Sequence, residues 1–341
     1  MTPLPNPPPQ GGREQTEHEP IACLGAGRMG RGIAVVFAYA GHTVSLVDFK
    51  ARGDAAFKTL SDDALNEVRN VLGTLAGFGL FEAAHVETLM ARVSVVPEKG
   101  AEAALSSATV IFEGVPEVPD LKRDALARAA KLAGPAPIIA STTSTILVDD
   151  LSGAVDYPGR FLNAHWLNPA FLVPLVEVSP GQHTDPAVTA RLKALLESVG
   201  KVPVVCAARP GYIVPRIQAL AMNEAARMVE EGVASAEDID KAIKYGFGIR
   251  FATLGMLEFI DWGGGDILYY ASRYMKDALG SERYAAPEIV ERNMAEGRRG
   301  LRDGAGFLNY EGLDVEAYRR ARLKAFVELL GHFGLNRPPV L

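Results

Sequence analysis

The stretch Ile21-Ala22-Cys23-Leu24-Gly25-Ala26-Gly27-Arg28-Met29-Gly30 decides the fold of this chain. Its first part is a short apolar strand, and its second part, GAGRMG, follows that strand directly and opens a helix. Backbone N–H groups at such a helix N-terminus can cradle a pyrophosphate. A lone GxGxxG pattern is weak evidence, so the next strand has to support it.

That support comes from Asp48, which ends the second apolar strand, VSLVD, roughly 20 residues beyond the glycines. A carboxylate there accepts hydrogen bonds from both ribose hydroxyls of NAD and repels a 2′-phosphate. Lys50 and Arg52 lie close by and could soften the preference for NAD over NADP. We therefore predict an NAD site instead of a glycine turn beside a surface aspartate. The cofactor contacts expected from the two strands are Gly25, Gly27, Arg28, Met29, Gly30 and Asp48.

From Ile21 to Cys206, short apolar strands alternate with helical stretches. This alternation predicts an α/β fold, a Rossmann-type doubly wound and mostly parallel sheet with helices on both faces. After the breaker pair Pro210-Gly211 the strand signals end, which predicts an all-α C-terminal domain. The expected organisation is a disordered tail over residues 1–20, an NAD-binding Rossmann domain over 21–208 and a helical C-terminal domain over 209–341. The expected strands are IACLG, VSLVD, VSVV, TVIFEG, IIAST, FLNAHW, VPLVEVS and VPVVC.

The composition of the chain argues against several classes of function. With 341 residues, of which 48% are hydrophobic, the chain is long enough for two domains. A net charge of −6 provides no basic field for nucleic acid or a membrane surface, and no apolar run approaches the ~20 residues of a membrane span. The N-terminal tail has no apolar region typical of a signal peptide, and the two cysteines fit neither a disulfide framework nor a metal site. We expect a cytoplasmic protein without a metal, whose ligand is a small molecule.

A carboxylate, Glu177, stands in the otherwise apolar strand Val173-Pro174-Leu175-Val176-Glu177-Val178. A buried carboxylate needs a partner, and His165 in HWLNP is the candidate. Such a pair makes an imidazole a general base near neutral pH. Ser144 stands in the hydroxyl cluster STTST at the carboxyl end of the strand IIAST, the side of an open sheet where ligands bind. Taken singly, these residues are also typical of a core histidine, an edge-strand acid and a helix cap, and only their joint spacing indicates an active site.

The combined motifs resemble the L-3-hydroxyacyl-CoA dehydrogenase superfamily. They are GAGRMG with Asp48, VPEVPDLKR, STTST, HWLNP, LVEV and PGYIVPR, in that order from about Ile21 to Tyr310. The resemblance implies that His165 takes the proton of the substrate C3 hydroxyl, that Glu177 pairs with its other ring nitrogen and that Ser144 hydrogen-bonds the reacting oxygen. It further implies that Asn168 lies near the nicotinamide and the substrate. Glu117 and Lys122 would help to place the nicotinamide ribose.

The chain departs from the family pattern at three places. Pro215 in GYIVPR replaces the asparagine of the family's GFxxNR, and proline offers no hydrogen bond in its place. Acyl-CoA enzymes tend to carry lysines that meet CoA phosphates on the helical segment after the second strand, whereas LSDDALNEVRNVLGTLAGFG offers acids and only Arg69. The segment GFGIRFATLG looks like the L-gulonate and carnitine dehydrogenase branch, so Arg250 could clamp a substrate carboxylate. In contrast, RDGAGFLNY resembles a segment of the acyl-CoA enzymes, which puts Arg302 where a lysine contacts the cofactor.

These features leave the substrate open between two classes, a short-chain 3-hydroxyacyl-CoA such as 3-hydroxybutyryl-CoA and a small free 3-hydroxy acid. Most members of the family that the chain resembles act on the first class, and we predict a substrate of that class. A non-catalytic NAD-binding protein is the alternative from another class, since Pro215 removes an active-site group. The resemblance also implies a homodimer, which the apolar segments IVPRIQALAM and LGMLEFIDW support.

Overall fold

A computed structural model describes residues 18–340. Its strands form one eight-stranded sheet with the order β3-β2-β1-β4-β5-β6-β7-β8. Neighbouring strands are parallel except for β6 and β7, which are antiparallel. The predicted doubly wound α/β fold is confirmed, and each predicted strand is present to within two residues at either end. The strands are β1 (Pro20–Leu24), β2 (Thr43–Val47), β3 (Val93–Val96), β4 (Val110–Glu113), β5 (Ile138–Ser141), β6 (Phe161–Trp166), β7 (Leu175–Pro180) and β8 (Val202–Val205).

The helices follow the predicted alternation and then continue without strands. The helix after β2 ends at Gly77, because Gly79 takes a left-handed backbone just beyond it. The helices are α1 (Arg28–Tyr39), α2 (Asp54–Gly77), α3 (Val86–Met90), α4 (Ala101–Ser107), α5 (Pro119–Ala133), α6 (Val148–Ser152), α7 (Pro186–Ser198), α8 (Val214–Glu230), α9 (Ala236–Ala242), α10 (Ile249–Thr253), α11 (Met256–Gly263), α12 (Gly265–Leu279), α13 (Glu288–Ala295) and α14 (Val315–His332), with a π-helical turn at Ile243–Gly248 and short 3₁₀ turns at Ala83–His85, Glu98–Gly100, Pro158–Arg160, Glu282–Tyr284 and Leu301–Asp303.

Two apolar layers cover the sheet, one on each face, because successive strand side chains point to opposite sides. In β1, Ile21 and Cys23 belong to one layer, while Ala22 and Leu24 belong to the other. In β6 the alternation continues after Phe161, but one face of the strand becomes polar. Leu162, Ala164 and Trp166 still pack in the first layer, whereas the positions between them are the polar residues Asn163 and His165.

The single antiparallel pair places the two predicted proton-transfer residues opposite each other. Only a short segment, residues 167–174, joins β6 to β7, and a parallel connection needs a crossover of a dozen or more residues. The chain therefore turns back on itself, and His165 pairs with Glu177 across the two strands. Both side chains consequently leave the sheet on the same face.

The chain forms two compact units that part between Ala221 and Met222, within α8. The first contains the sheet, and the described part of the second, up to Val340, is helical apart from isolated bridges at Gly300, Ala305 and Asn309. The domain boundary predicted at residue 208 lies just after the last strand, which ends at Val205. The boundary itself stays a prediction. Most of the predicted tail, residues 1–17, lies outside the described residues. No helix within residues 18–340 is long and apolar enough to cross a membrane.

Candidate active site

The glycine turn between β1 and α1 leaves room for a ligand at the helix N-terminus. Gly25 has φ of 95°, which favours glycine, and a Cβ at Gly30 would lie 2.3 Å from the Gly25 carbonyl oxygen. A Cβ at Gly27 would meet no atom within 4 Å, and no side chain caps the helix. The first N–H groups of α1 therefore face open space, which fits the pyrophosphate of NAD.

Asp48 follows the carboxyl end of β2 and is nearly buried, with 6% of its surface exposed. Its Oδ2 accepts a hydrogen bond from Arg52 Nε at 2.6 Å, and its Oδ1 accepts one from the Lys50 backbone at 3.3 Å. The carboxylate is thus held at the edge of the sheet next to the switch in strand order, where β1 lies between β2 and β4. Its position fits an adenosine ribose.

Replacing Gly27 with alanine should separate cofactor binding from folding. The new methyl group meets no protein atom, so we expect an unchanged Tm. It occupies the space in which the pyrophosphate approaches the backbone, so NADH affinity should fall at least roughly tenfold, equivalent to about 1.4 kcal/mol. Gly73→Ala in α2, which also meets nothing, is the matched control and should leave affinity unchanged. Titration of NADH fluorescence measures both, and equal affinities of the two variants would contradict the assignment.

His165 and Glu177 form the centre of the site. His165 Nδ1 lies 2.7 Å from Glu177 Oε2, and the two residues are 5% and 0% exposed. No group within the described residues 18–340 hydrogen-bonds Nε2 of the ring. A carboxylate on Nδ1 fixes the tautomer with the proton on that nitrogen, so Nε2 carries the lone pair. This arrangement can accept a proton from a bound hydroxyl.

Glu177 also accepts hydrogen bonds from the N-terminus of α8. Its Oε1 accepts hydrogen bonds from the backbone N–H groups of Ile213 at 2.9 Å and Val214 at 2.8 Å. Burial opposes ionisation of this carboxyl, but the His165 ring and these two backbone donors outweigh it and hold the pKa of Glu177 below its usual value. Glu177 is therefore an anion at neutral pH, ready to stabilise a protonated His165.

Glu117 holds the turn that carries Ser144. Its Oε1 accepts hydrogen bonds from the backbone N–H groups of Ser144 at 3.0 Å and Thr145 at 3.1 Å, and from the hydroxyl groups of Thr143 and Thr145. Burial opposes ionisation here too, yet the Thr143 hydroxyl and the nearby Lys122 ammonium lower the pKa of Glu117. Ser144 itself is exposed, so it can meet a ligand.

Lys122 supports this turn from inside the protein. Its Nζ is buried and donates to both oxygens of Glu113, at 2.9 and 3.1 Å, and to the Val115 carbonyl at 3.2 Å. It also lies 3.3 Å from Glu117 Oε2. With these partners the ammonium is not presented to solvent, so its predicted help in placing the ribose would act through Glu117.

Asn168 lies in the segment after β6, where it is exposed and lines a cavity of about 400 Å³. Lys201, which is 7% exposed, anchors this segment by donating to the carbonyls of Ala170 at 2.5 Å and Val173 at 2.8 Å. Burial lowers the pKa of Lys201 to about 8. The remaining walls of the cavity come from α1, α2 and the same segment, with the side chains of Arg28, Arg31, Val35, Glu67, Val68, Val71, Pro169, Ala170 and Phe171.

Pro215 lies in the first turn of α8, where its fixed φ and missing N–H fit the start of a helix. Arg250 and Arg302 belong to the second unit. Arg250 is exposed, follows the π-helical turn and stacks over the Phe259 ring at 5.3 Å, without an acidic partner in residues 18–340. Arg302 instead lies 2.7 Å from Asp266. The predicted roles of the two arginines toward substrate and cofactor stay predictions.

Two residues of this site were not predicted from the sequence. Glu113 is fully buried at the end of β4, where it accepts hydrogen bonds from Lys122 and, at 2.5 Å, from the Ser141 hydroxyl. A carboxylate in the apolar strand TVIFEG is the same signal that revealed Glu177, and it could have been found in that way. Tyr212, which contacts His165, carried no comparable signal.

Comparisons with known proteins agree with this geometry. Residues 20–209 match the family model for the 3-hydroxyacyl-CoA dehydrogenase NAD-binding domain, and residues 211–310 match that for its C-terminal domain. A 5-formyl-3-hydroxy-2-methylpyridine 4-carboxylate 5-dehydrogenase of Mesorhizobium japonicum is 30% identical over 90% of this chain and 96% of its own. A 3-hydroxybutyryl-CoA dehydrogenase of Bradyrhizobium diazoefficiens is 31% identical over 86% and 95%. The crystal structure of a 3-hydroxyacyl-CoA dehydrogenase from Archaeoglobus fulgidus superposes with a TM-score of 0.73 at 30% identity, covering 94% of this chain and all of that one.

Proposed function

Because this chain belongs to the 3-hydroxyacyl-CoA dehydrogenase family of NAD-binding oxidoreductases, we propose that it interconverts a 3-hydroxyacyl and a 3-oxoacyl group. The observation that carries this proposal is the buried hydrogen bond of 2.7 Å between His165 Nδ1 and Glu177 Oε2, with Nε2 unbonded to any group in residues 18–340. A proton acceptor of this kind is what oxidation of a secondary alcohol requires. The proposed substrate is a short-chain 3-hydroxyacyl-CoA.

In the proposed reaction, Nε2 of His165 takes the proton from the C3 hydroxyl, and Glu177 stabilises the resulting imidazolium. The Ser144 hydroxyl donates a hydrogen bond to the reacting oxygen, and Asn168 orients the substrate beside the nicotinamide. The glycine turn and Asp48 would hold the cofactor. When bound there, NAD would supply the acceptor for the hydride from C3. In the reverse direction, protonated His165 returns its proton to the oxygen.

The cavity beside Asn168 supports an acyl-CoA substrate. Its walls include Val35, Val68, Val71 and Phe171, which fit an apolar chain or the apolar parts of a pantetheine arm. Arg28 at its edge adds a positive charge for an anionic group.

A free 3-hydroxy acid is the second candidate, and Arg250 is the observation that favours it. The guanidinium is exposed and unpaired by acids in the described residues, so it is available for a carboxylate. The Mesorhizobium relative, whose name includes a free carboxylate, supports the same possibility. A non-catalytic NAD-binding role is the third candidate, and it gives no reason for a free Nε2 beside a buried carboxylate.

A substrate panel distinguishes the candidates. NADH oxidation is measured with acetoacetyl-CoA and with free 3-oxo acids, on wild type and Arg250→Ala. If acyl-CoA is the substrate, acetoacetyl-CoA should be preferred, and Arg250→Ala should change kcat/KM less than about threefold. If the free acid is the substrate, Arg250→Ala should cost at least about tenfold on that substrate alone. Arg319→Ala, which removes an exposed arginine stacked on Trp262 in the same unit, is the matched control.

We further propose that the protein is a homodimer. Exposed apolar side chains occur in both segments that suggested it, including Leu220 at 64% and Leu257 at 50%, and on α12, where Tyr274 is 75% exposed. Exposed apolar groups on this scale are typical of protein contacts. Size exclusion with light scattering should give twice the chain mass at micromolar concentration, and a monomer would rule out the dimer.

A further inference from the structure

Tyr212 stands in the turn before α8 with a left-handed backbone, at φ of 43°. Within the described residues it is the only residue other than glycine with a positive φ. The Cβ of an L-residue crowds its own carbonyl there, so such a conformation persists only where surrounding contacts hold it. The side chain is accordingly buried, at 7% exposure.

The ring of Tyr212 lies flat against the imidazole of His165. Their centroids are 5.1 Å apart and their planes differ by 3°. The hydrogen bond to Glu177 fixes one edge of the imidazole, but it still allows the ring to tilt about that bond. The stacked Tyr212 restrains this tilt and covers one face, so the direction in which Nε2 points depends on both neighbours.

The hydroxyl of Tyr212 reaches the segments that carry the other reacting groups. It donates a hydrogen bond to the Thr143 carbonyl at 3.0 Å, next to Ser144, and accepts one at 3.0 Å from Asn163 Nδ2. Asn163 is fully buried in β6, on the same face as His165, and its Nδ2 also donates to the Ile146 carbonyl at 3.0 Å. Burial raises the pKa of Tyr212 well above its usual value, so the hydroxyl keeps its proton and remains a donor.

We propose that Tyr212 is a positioning residue for proton transfer, which fixes the distance between His165 and Ser144 by stacking on one and tethering the turn of the other. This inference rests on the proposed function. The ring and the hydroxyl have separable tasks: the ring orients the imidazole, and the hydroxyl sets the turn from Thr143 to Ile146. Tyr212→Phe removes the second task alone.

The kinetic test is a double-mutant cycle between Tyr212→Phe and Ser144→Ala. Tyr212→Phe should lower kcat about tenfold and change NADH affinity less than about twofold, because it disturbs only the placement of reacting groups. If the hydroxyl acts through Ser144, the same change in the Ser144→Ala background should cost less than about twofold. Tyr39→Phe, which changes a half-buried tyrosine that packs on Phe81 in the same unit, should retain wild-type kcat. Equal losses from Tyr212→Phe in both backgrounds, or an unchanged kcat, would overturn the proposal.

A spectroscopic readout tests the stacking separately from activity. The chain has six histidines, and His165→Gln identifies the Cε1–H resonance of His165. The Tyr212 ring current should shift that resonance upfield, Tyr212→Phe should preserve the shift, and Tyr212→Leu should abolish it. If the chemical shift of the His165 resonance is the same in Tyr212→Leu as in wild type, the stacking is overturned. If the stacking is present but wild type turns over no 3-oxo substrate, the proposed function fails, and with it the positioning role. The two readouts therefore show whether the stacking or the proposed function is wrong.

Discussion

Replacing His165 with glutamine should lower kcat by about three orders of magnitude while leaving NADH affinity within about twofold of wild type. Glutamine fills much of the same space and can still hydrogen-bond Glu177, but it cannot accept a proton at neutral pH. The site lies at the carboxyl end of β6, away from the glycine turn, so cofactor binding should persist. Steady-state rates with the preferred 3-oxo substrate and fluorescence titration of NADH measure the two effects.

The control for His165→Gln is His183→Gln, which changes a histidine outside the site and should leave kcat unchanged. A variant that retains more than about a tenth of wild-type kcat would show that another group moves the proton. A variant that loses NADH affinity as well would show that the substitution damages the fold of the domain instead of the chemistry.

Glu177→Gln should have the second largest effect, lowering kcat about a hundredfold and the free energy of unfolding by about 1–3 kcal/mol. The neutral amide cannot stabilise an imidazolium, and only one of its two polar atoms can accept from His165 or from the start of α8. Both the base and the helix N-terminus therefore lose a partner. Kinetics and urea denaturation measure these losses, and a fully active variant would contradict the assigned role.

The same residue predicts the acid sensitivity of the fold. The pKa of Glu177 is lower in the folded protein than its ordinary value of 4.5, so its contribution to stability is fully present above that value. This contribution is lost as the pH falls from about 4.5 through the folded pKa. Wild type should therefore lose more stability than Glu177→Gln over that interval, whereas Glu311→Gln, at an exposed site, should follow wild type. Parallel curves for wild type and Glu177→Gln would contradict this linkage.

The fold was predictable because its signals are local. Alternating strands and helices, the GAGRMG turn and Asp48 each depend on neighbouring residues, and the described structure has the predicted strands. The opposition of His165 and Glu177 was also within reach, since a short connection forces antiparallel pairing and places two polar side chains on one face. The register itself, with the two residues directly opposite, required the structure.

The features that could not be predicted from the sequence depend on contacts between residues that are far apart along the chain. Glu113 carried a readable signal, a buried acid in an apolar strand, but its partner Lys122 was assigned to the cofactor because the resemblance placed it there. Tyr212 reads as one more aromatic residue before a helix. Tyr212 has a left-handed backbone, contacts His165 and Asn163 in β6 and donates a hydrogen bond to Thr143. These contacts join three segments that are far apart along the chain, and no local pattern indicates them.

The measurement that tests the central claim most directly is deuterium transfer from nicotinamide-deuterated NADH to acetoacetyl-CoA, followed by mass spectrometry of the product. We predict one deuterium at C3 of the 3-hydroxyacyl product with wild type, and product formation reduced about a thousandfold with His165→Gln. The claim would be contradicted if wild type bound NADH but transferred no deuterium to acetoacetyl-CoA or to any free 3-oxo acid.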